Sequence, residues 1–82
     1  MAVRLLTLYS RTYCHLCDDM IAALRHLQGR FVFEIAVVDV DSDAALEARY
    51  GELVPVLACE GRELCHYFLD QAAVTDLLNK SI

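Results

Sequence analysis

Eighty-two residues fall just short of the roughly 100–200 residues of a typical domain, so the chain has room for one core and residues 1–82 are read as a single domain. Hydrophobic residues make up 57% and charged residues 23%, which excludes intrinsic disorder, because burial can offset the entropy of ordering. A net charge of −5 repels phosphate backbones and anionic membranes, so neither nucleic acid nor a membrane is expected as a partner.

In chain order, Val3 to Tyr9 is an apolar run broken by Arg4 and Thr7, the pattern of a strand covered on both faces. From Cys14 the period changes. Cys17, Met20, Ile21, Leu24 and Leu27 recur at helical spacing, and Gly29 follows as a stop signal. Phe31 to Val40 is β-branched and aromatic and reads as a second strand in the middle of a sheet. Asp41 or Ser42 is the expected cap of a short helix over residues 43–50, ended by Gly51. Two further strand-like runs, 53–59 and 63–68, are separated by Glu60-Gly61-Arg62 and predict an antiparallel hairpin. Asp70 then caps a last helix with Val74, Leu77 and Leu78 on its buried face. A strand-helix-strand unit implies a right-handed parallel crossover, and the hairpin adds antiparallel strands to the same sheet. The class is therefore α/β, a mixed sheet with helices on its faces.

Met1 to Tyr9 is interrupted by Arg4, and no small-residue cleavage site follows, so it does not read as a signal peptide. Nothing approaches the ~20 apolar residues of a membrane span. The expected location is cytoplasmic, where paired cysteines more often do redox chemistry or bind metal than staple a fold. On that reading Asn79-Lys80-Ser81 has no meaning as a glycosylation acceptor.

Cys14-His15-Leu16-Cys17 lies between the first strand and the first helix, a position that gives a C-x-x-C mechanical meaning. A thiolate at a helix N-terminus meets unpaired amides and the positive end of the macrodipole, which lower its pKa, while Asp18 and Asp19 oppose the thiolate. Cys14 is the expected nucleophile. Cys17, three residues on, is within disulfide reach and resolves a mixed disulfide formed at Cys14. Arg11 adds positive charge near Cys14, and His15 does so when protonated. Tyr13, beside Cys14, is placed to flank a substrate groove.

Tyr9-Ser10-Arg11-Thr12-Tyr13-Cys14-His15-Leu16-Cys17, the element order, and Val54-Pro55 opening the third strand together resemble glutaredoxins, over nearly the whole chain. The resemblance implies a three-layer thioredoxin/glutaredoxin-like fold, a four-stranded mixed sheet flanked by three helices. It implies a cis Pro55 facing the cysteine pair and a Val54 backbone that pairs with a bound thiol substrate. It also implies Arg11 contacting a glutathione carboxylate and Asp70 contacting a substrate amine. Where glutaredoxins usually carry Gly-Gly ahead of the last helix, this chain has Tyr67-Phe68-Leu69. The expected activity is thiol–disulfide oxidoreduction of protein or glutathione disulfides by a monomer. No cofactor is expected to be bound. With neither a Rossmann fingerprint nor a P-loop, electrons are expected from glutathione as a thiol co-substrate or from a reductase.

Two other readings stay open on the residues. In one, Cys14 and Cys17 bind zinc or an iron–sulfur cluster, with Cys59, Cys65 or His66 as paper ligands; in the other, the fold is kept as a redox-inactive interaction domain. The hairpin argues against a metal site and against a Cys59–Cys65 disulfide, since a tight Glu60-Gly61 turn sets Cys65 opposite Val56. Both cysteines are expected to be small buried hydrophobes. His26 and His66 have no partner in the sequence reading. Apart from Tyr13, the aromatic residues are assigned to core and rim.

Overall fold

The computed structural model describes residues 3–80; Ser81 of the Asn79-Lys80-Ser81 acceptor and the first two residues of the N-terminal run lie outside them. Strand β1 (Arg4–Ser10) is followed by helix α1 (His15–Leu27), strand β2 (Phe33–Asp39), a 3-10 turn (Val40–Ser42) and helix α2 (Ala44–Tyr50). Strands β3 (Val56–Cys59) and β4 (Arg62–His66) precede helix α3 (Gln71–Asn79). The sheet order is β2-β1-β3-β4, with β1 parallel to β2 and antiparallel to β3, and β3 antiparallel to β4.

Side-chain alternation along β1 divides the molecule into layers. Leu6 and Leu8 point to one face, where they meet Met20, Leu24 and Leu27 of α1, Val74 and Leu78 of α3, and Phe33 and Leu57. Tyr9 points to the other, packing with Leu46 and Tyr50 of α2, Val40 and Val56. There Tyr9 and Tyr50 stack with ring centroids 4.4 Å apart. The result is the expected three-layer α/β arrangement. Every residue of β3 is buried, because that strand is central and covered on both faces.

Three local expectations are corrected. Strand β2 is an edge strand, not a central one. Only Phe33 of this strand is buried and Val37 is exposed, so its apolar composition says nothing about how many neighbours the strand has in the plane. The cap of α2 is Asp43, whose carboxylate accepts from the amides of Ala45 and Leu46 at 2.8 and 3.3 Å, while Val40–Ser42 forms the preceding turn. In the hairpin, Glu60 and Gly61 both take positive φ, 53° and 81°, as a two-residue turn of the I′ kind requires. The register then shifts between Leu57 and Ala58, so Cys65 pairs with Leu57 and His66 with Val56. Leu64 is the extra residue of this bulge. Cys59 and Cys65 are free thiols; Cys59 is buried as expected, whereas Cys65 is only half-buried.

Asp70 caps α3 as predicted, accepting from the amide of Ala73 at 3.1 Å. Among the described residues no helix is long and apolar enough to cross a membrane.

Candidate redox site

The site is assembled at the end of the sheet where β1 finishes. In the antiparallel register Tyr9 stands opposite Val56, so the segment leaving Ser10 and the Val54-Pro55 segment entering β3 lie at the same end. The Val54-Pro55 bond is cis and Pro55 is fully buried. The amide of Tyr67 donates to the Pro55 carbonyl at 2.9 Å, and the Tyr67 hydroxyl donates to the Glu52 carbonyl at 3.0 Å. The strand-to-helix link after β4 is thereby tied on both sides of Val54-Pro55.

Between β1 and α1 the chain turns sharply, and Tyr13 adopts φ 60°. A side chain in that region costs roughly 1–2 kcal/mol, a cost accepted here immediately before the cysteine pair. Tyr13 is fully exposed. Cys14 follows in extended geometry (φ −112°, ψ 107°) as the N-cap of α1. Its sulfur accepts from the amide of Cys17 at 3.1 Å, occupying the place that a serine or aspartate oxygen takes in an ordinary cap. Cys14 and Cys17 form a disulfide with Cα atoms 5.2 Å apart, within the usual span for such bridges. The two sulfurs are unequal in access. Cys14 is half-buried and Cys17 is 1% exposed, so an incoming group reaches the first before the second.

Arg11 is held by partners within the protein itself. Its Nε and Nη2 donate to the two carboxylate oxygens of Asp41 at 3.2 and 3.1 Å, Nη2 also reaches Glu47 at 3.3 Å, and Nη1 donates to the Gly51 carbonyl at 3.1 Å. The hydrogen bonds that Arg11 donates to Asp41 are the main reason the guanidinium pKa is raised, with the charges of Asp41 and Glu47 adding and desolvation opposing. Gly51 makes room for this arrangement. A Cβ there would lie 2.5 Å from the Glu47 carbonyl oxygen and 2.9 Å from Arg11 Nη2. Asp41 and Gly51 were legible only as helix punctuation and Glu47 carried no signal, since their partner is 30 to 40 residues away.

Asp70 has its cap bond and stands two residues after Phe68, which is 70% exposed rather than packed in the core or rim. His66 does have a partner, with Nδ1 2.7 Å from a Glu63 carboxylate oxygen. Burial pushes the Cys65 thiol up, a backbone hydrogen bond at Asp70 opposes this, and the charges of Asp70 and Glu63 add to it.

A disulfide-forming C-x-x-C capping the first helix of a β-α-β unit, on a sheet that ends in an antiparallel hairpin and a last helix, defines a thioredoxin-fold protein with a redox-type cysteine pair. The chain belongs to the glutaredoxin-like family: residues 5–79 match the model described as Glutaredoxin-like domain (DUF836). It is similar to protein Ne2328 from Nitrosomonas europaea, with 44% identity, a TM-score of 0.87, and coverage of 95% of this chain and 94% of that one. It is also similar to protein XcR50 from X. campestris, with 41% identity, a TM-score of 0.74, and coverage of 92% and 96%. The likeness extends in fold to the Drosophila thioredoxin Deadhead, at 21% identity and a TM-score of 0.60 over 98% of this chain and 82% of that one. No curated protein matches the chain.

Proposed function

We propose that the chain is a thiol–disulfide oxidoreductase that works through the Cys14/Cys17 dithiol–disulfide couple. One observation carries the reading: the Cys14 sulfur is the acceptor that caps α1. An acceptor in that position is favoured by negative charge, because the free amides and the macrodipole both point positive potential at it. Reduction therefore leaves Cys14 as the nucleophile at the exposed end of the pair, in a position that favours its thiolate, with Cys17 as the buried second thiol.

In the forward direction the Cys14 thiolate attacks one sulfur of a substrate disulfide. The substrate S–S bond breaks, a Cys14–substrate bond forms, and the other substrate sulfur leaves as a thiolate. Cys17, losing its proton, attacks Cys14 Sγ, forms the Cys14–Cys17 disulfide and releases the second substrate thiolate. The substrate gains two electrons, the protein loses two, and the released thiolates take up protons. Val54, beside the cis Pro55, offers backbone to a bound substrate.

Purified reduced protein mixed with a disulfide, followed by thiol titration and mass spectrometry, tests this. Cys14→Ser should abolish reduction, and Cys17→Ser should accumulate the mixed disulfide at Cys14. Full activity in Cys14→Ser refutes the mechanism. A turnover assay offering glutathione with its reductase, or thioredoxin reductase, identifies the electron donor.

A further inference from the structure

The clamp on Arg11 bears on which disulfides the site accepts. A guanidinium has five N–H donors, and Arg11 spends four bonds on Asp41, Glu47 and the Gly51 carbonyl. The cation three residues before Cys14 is thus neutralised by two carboxylates of the protein itself. The segments around the site add acids: Asp18 in the first turn of α1, Glu52 ahead of Val54, and Asp70 after Phe68. Beside these acids and the exposed Thr12 and His15, the same segments present two aromatic rings to solvent. Tyr13 is 100% and Phe68 70% exposed, Tyr13 adjoining Cys14 and Phe68 following the residue whose amide holds Pro55.

We infer that the preferred substrate of this site is a polypeptide disulfide whose cysteine is flanked by apolar and basic residues, and that small disulfides carrying carboxylates are disfavoured. The inference rests on the dithiol reading above. An apolar flank covers the exposed rings of Tyr13 and Phe68, and a basic residue meets the acidic surround, whose sign matches the net charge of −5. A carboxylate-bearing small disulfide finds the nearby guanidinium already engaged and meets the same acids unfavourably. The electron balance is that of the dithiol cycle, with the reduced protein itself as the two-electron donor in a single turnover.

Single-turnover stopped-flow with pre-reduced protein provides the test. The probes are a disulfide-linked peptide with Leu and Lys flanks, the same peptide with Glu flanks, glutathione disulfide, and the uncharged hydroxyethyl disulfide. The Leu/Lys peptide should outrun glutathione disulfide on the order of tenfold, and the Glu-flanked peptide should lose most of that advantage. Tyr13→Ser and Phe68→Ser, both at exposed positions where folding is not at stake, should each narrow the ratio severalfold. Glutathione disulfide reacting as fast as the Leu/Lys peptide, or a ratio unmoved in both variants, overturns the inference while leaving the dithiol reading intact. If hydroxyethyl disulfide also fails to oxidise the cysteines, the dithiol reading falls and this inference with it.

Discussion

Gly51→Ala sets two physical effects against each other. Gly51 sits at the end of α2 with φ −53° and ψ −36°, a conformation any residue adopts. On backbone grounds alone, alanine should therefore stabilise the fold by about 0.4–1 kcal/mol through the unfolded chain. The new Cβ, however, would lie 2.5 Å from the Glu47 carbonyl oxygen, 3.1 Å from the Glu47 Cδ and 2.9 Å from Arg11 Nη2. The first contact is with backbone that also accepts the Gly51 amide at 2.8 Å, so it cannot be relieved by turning a side chain. Overpacking of this kind costs typically about 1–3 kcal/mol, and the difference leaves a net loss of roughly 0.5–2 kcal/mol. With a urea slope of about 1 kcal/mol/M for a chain this small, the midpoint should fall by about 0.5–2 M. Urea titration of the oxidised protein followed by circular dichroism measures it. An unchanged or raised midpoint refutes the reasoning. In Arg11→Ala the Nη2 contact is absent but the carbonyl contact persists, so Gly51→Ala should still destabilise in that background.

Two further outcomes follow from the same geometry. Asp70→Ala should lower stability by about 1 kcal/mol through loss of the α3 cap, and Asp70→Ser should restore most of it in the same denaturation assay; a serine variant as unstable as the alanine one refutes the capping account. Cys65, whose thiol is pushed up by burial, ionises more readily in the unfolded chain than in the folded one. Its contribution to stability is therefore full below its ordinary pKa of about 9 and is lost as the pH rises through the higher folded value. Urea midpoints at pH 8 and pH 10 should fall less in Cys65→Ala than in the parent, and equal falls contradict the shift.

The parts of the molecule readable in the sequence are those fixed by neighbours along the chain. The start of α1 at the C-x-x-C, the Asp70 cap and the two-residue turn at Glu60-Gly61 all depend on spacings of two to four residues, which propensity and capping chemistry determine. The cis Val54-Pro55 bond was expected from the family resemblance alone. What was not legible depends on contacts between distant segments. The apolar, β-branched run of β2 reveals a strand but not whether it has one in-plane neighbour or two, and its Val37 is left exposed at the sheet edge. The bulge at Leu64 has no signal in the turn residues, so a register counted outward from the turn misses by one residue beyond it. The ion pairs of Arg11 were not legible because its carboxylates belong to the turn after β2 and to α2, and no local pattern announces such a pairing.

The bond from the Cys17 amide to the Cys14 sulfur makes one backbone proton a witness to the state of the pair. Charge on that sulfur and strength of the helix start are two sides of a single equilibrium: whatever the fold contributes to holding the thiolate, the thiolate returns to the fold. Oxidation alters the charge at the acceptor end of this bond. The first turn of α1 should thus register the redox state without any element moving, and the Cys17 amide proton is the place in the chain where gaining two electrons can be read in a nitrogen–proton spectrum.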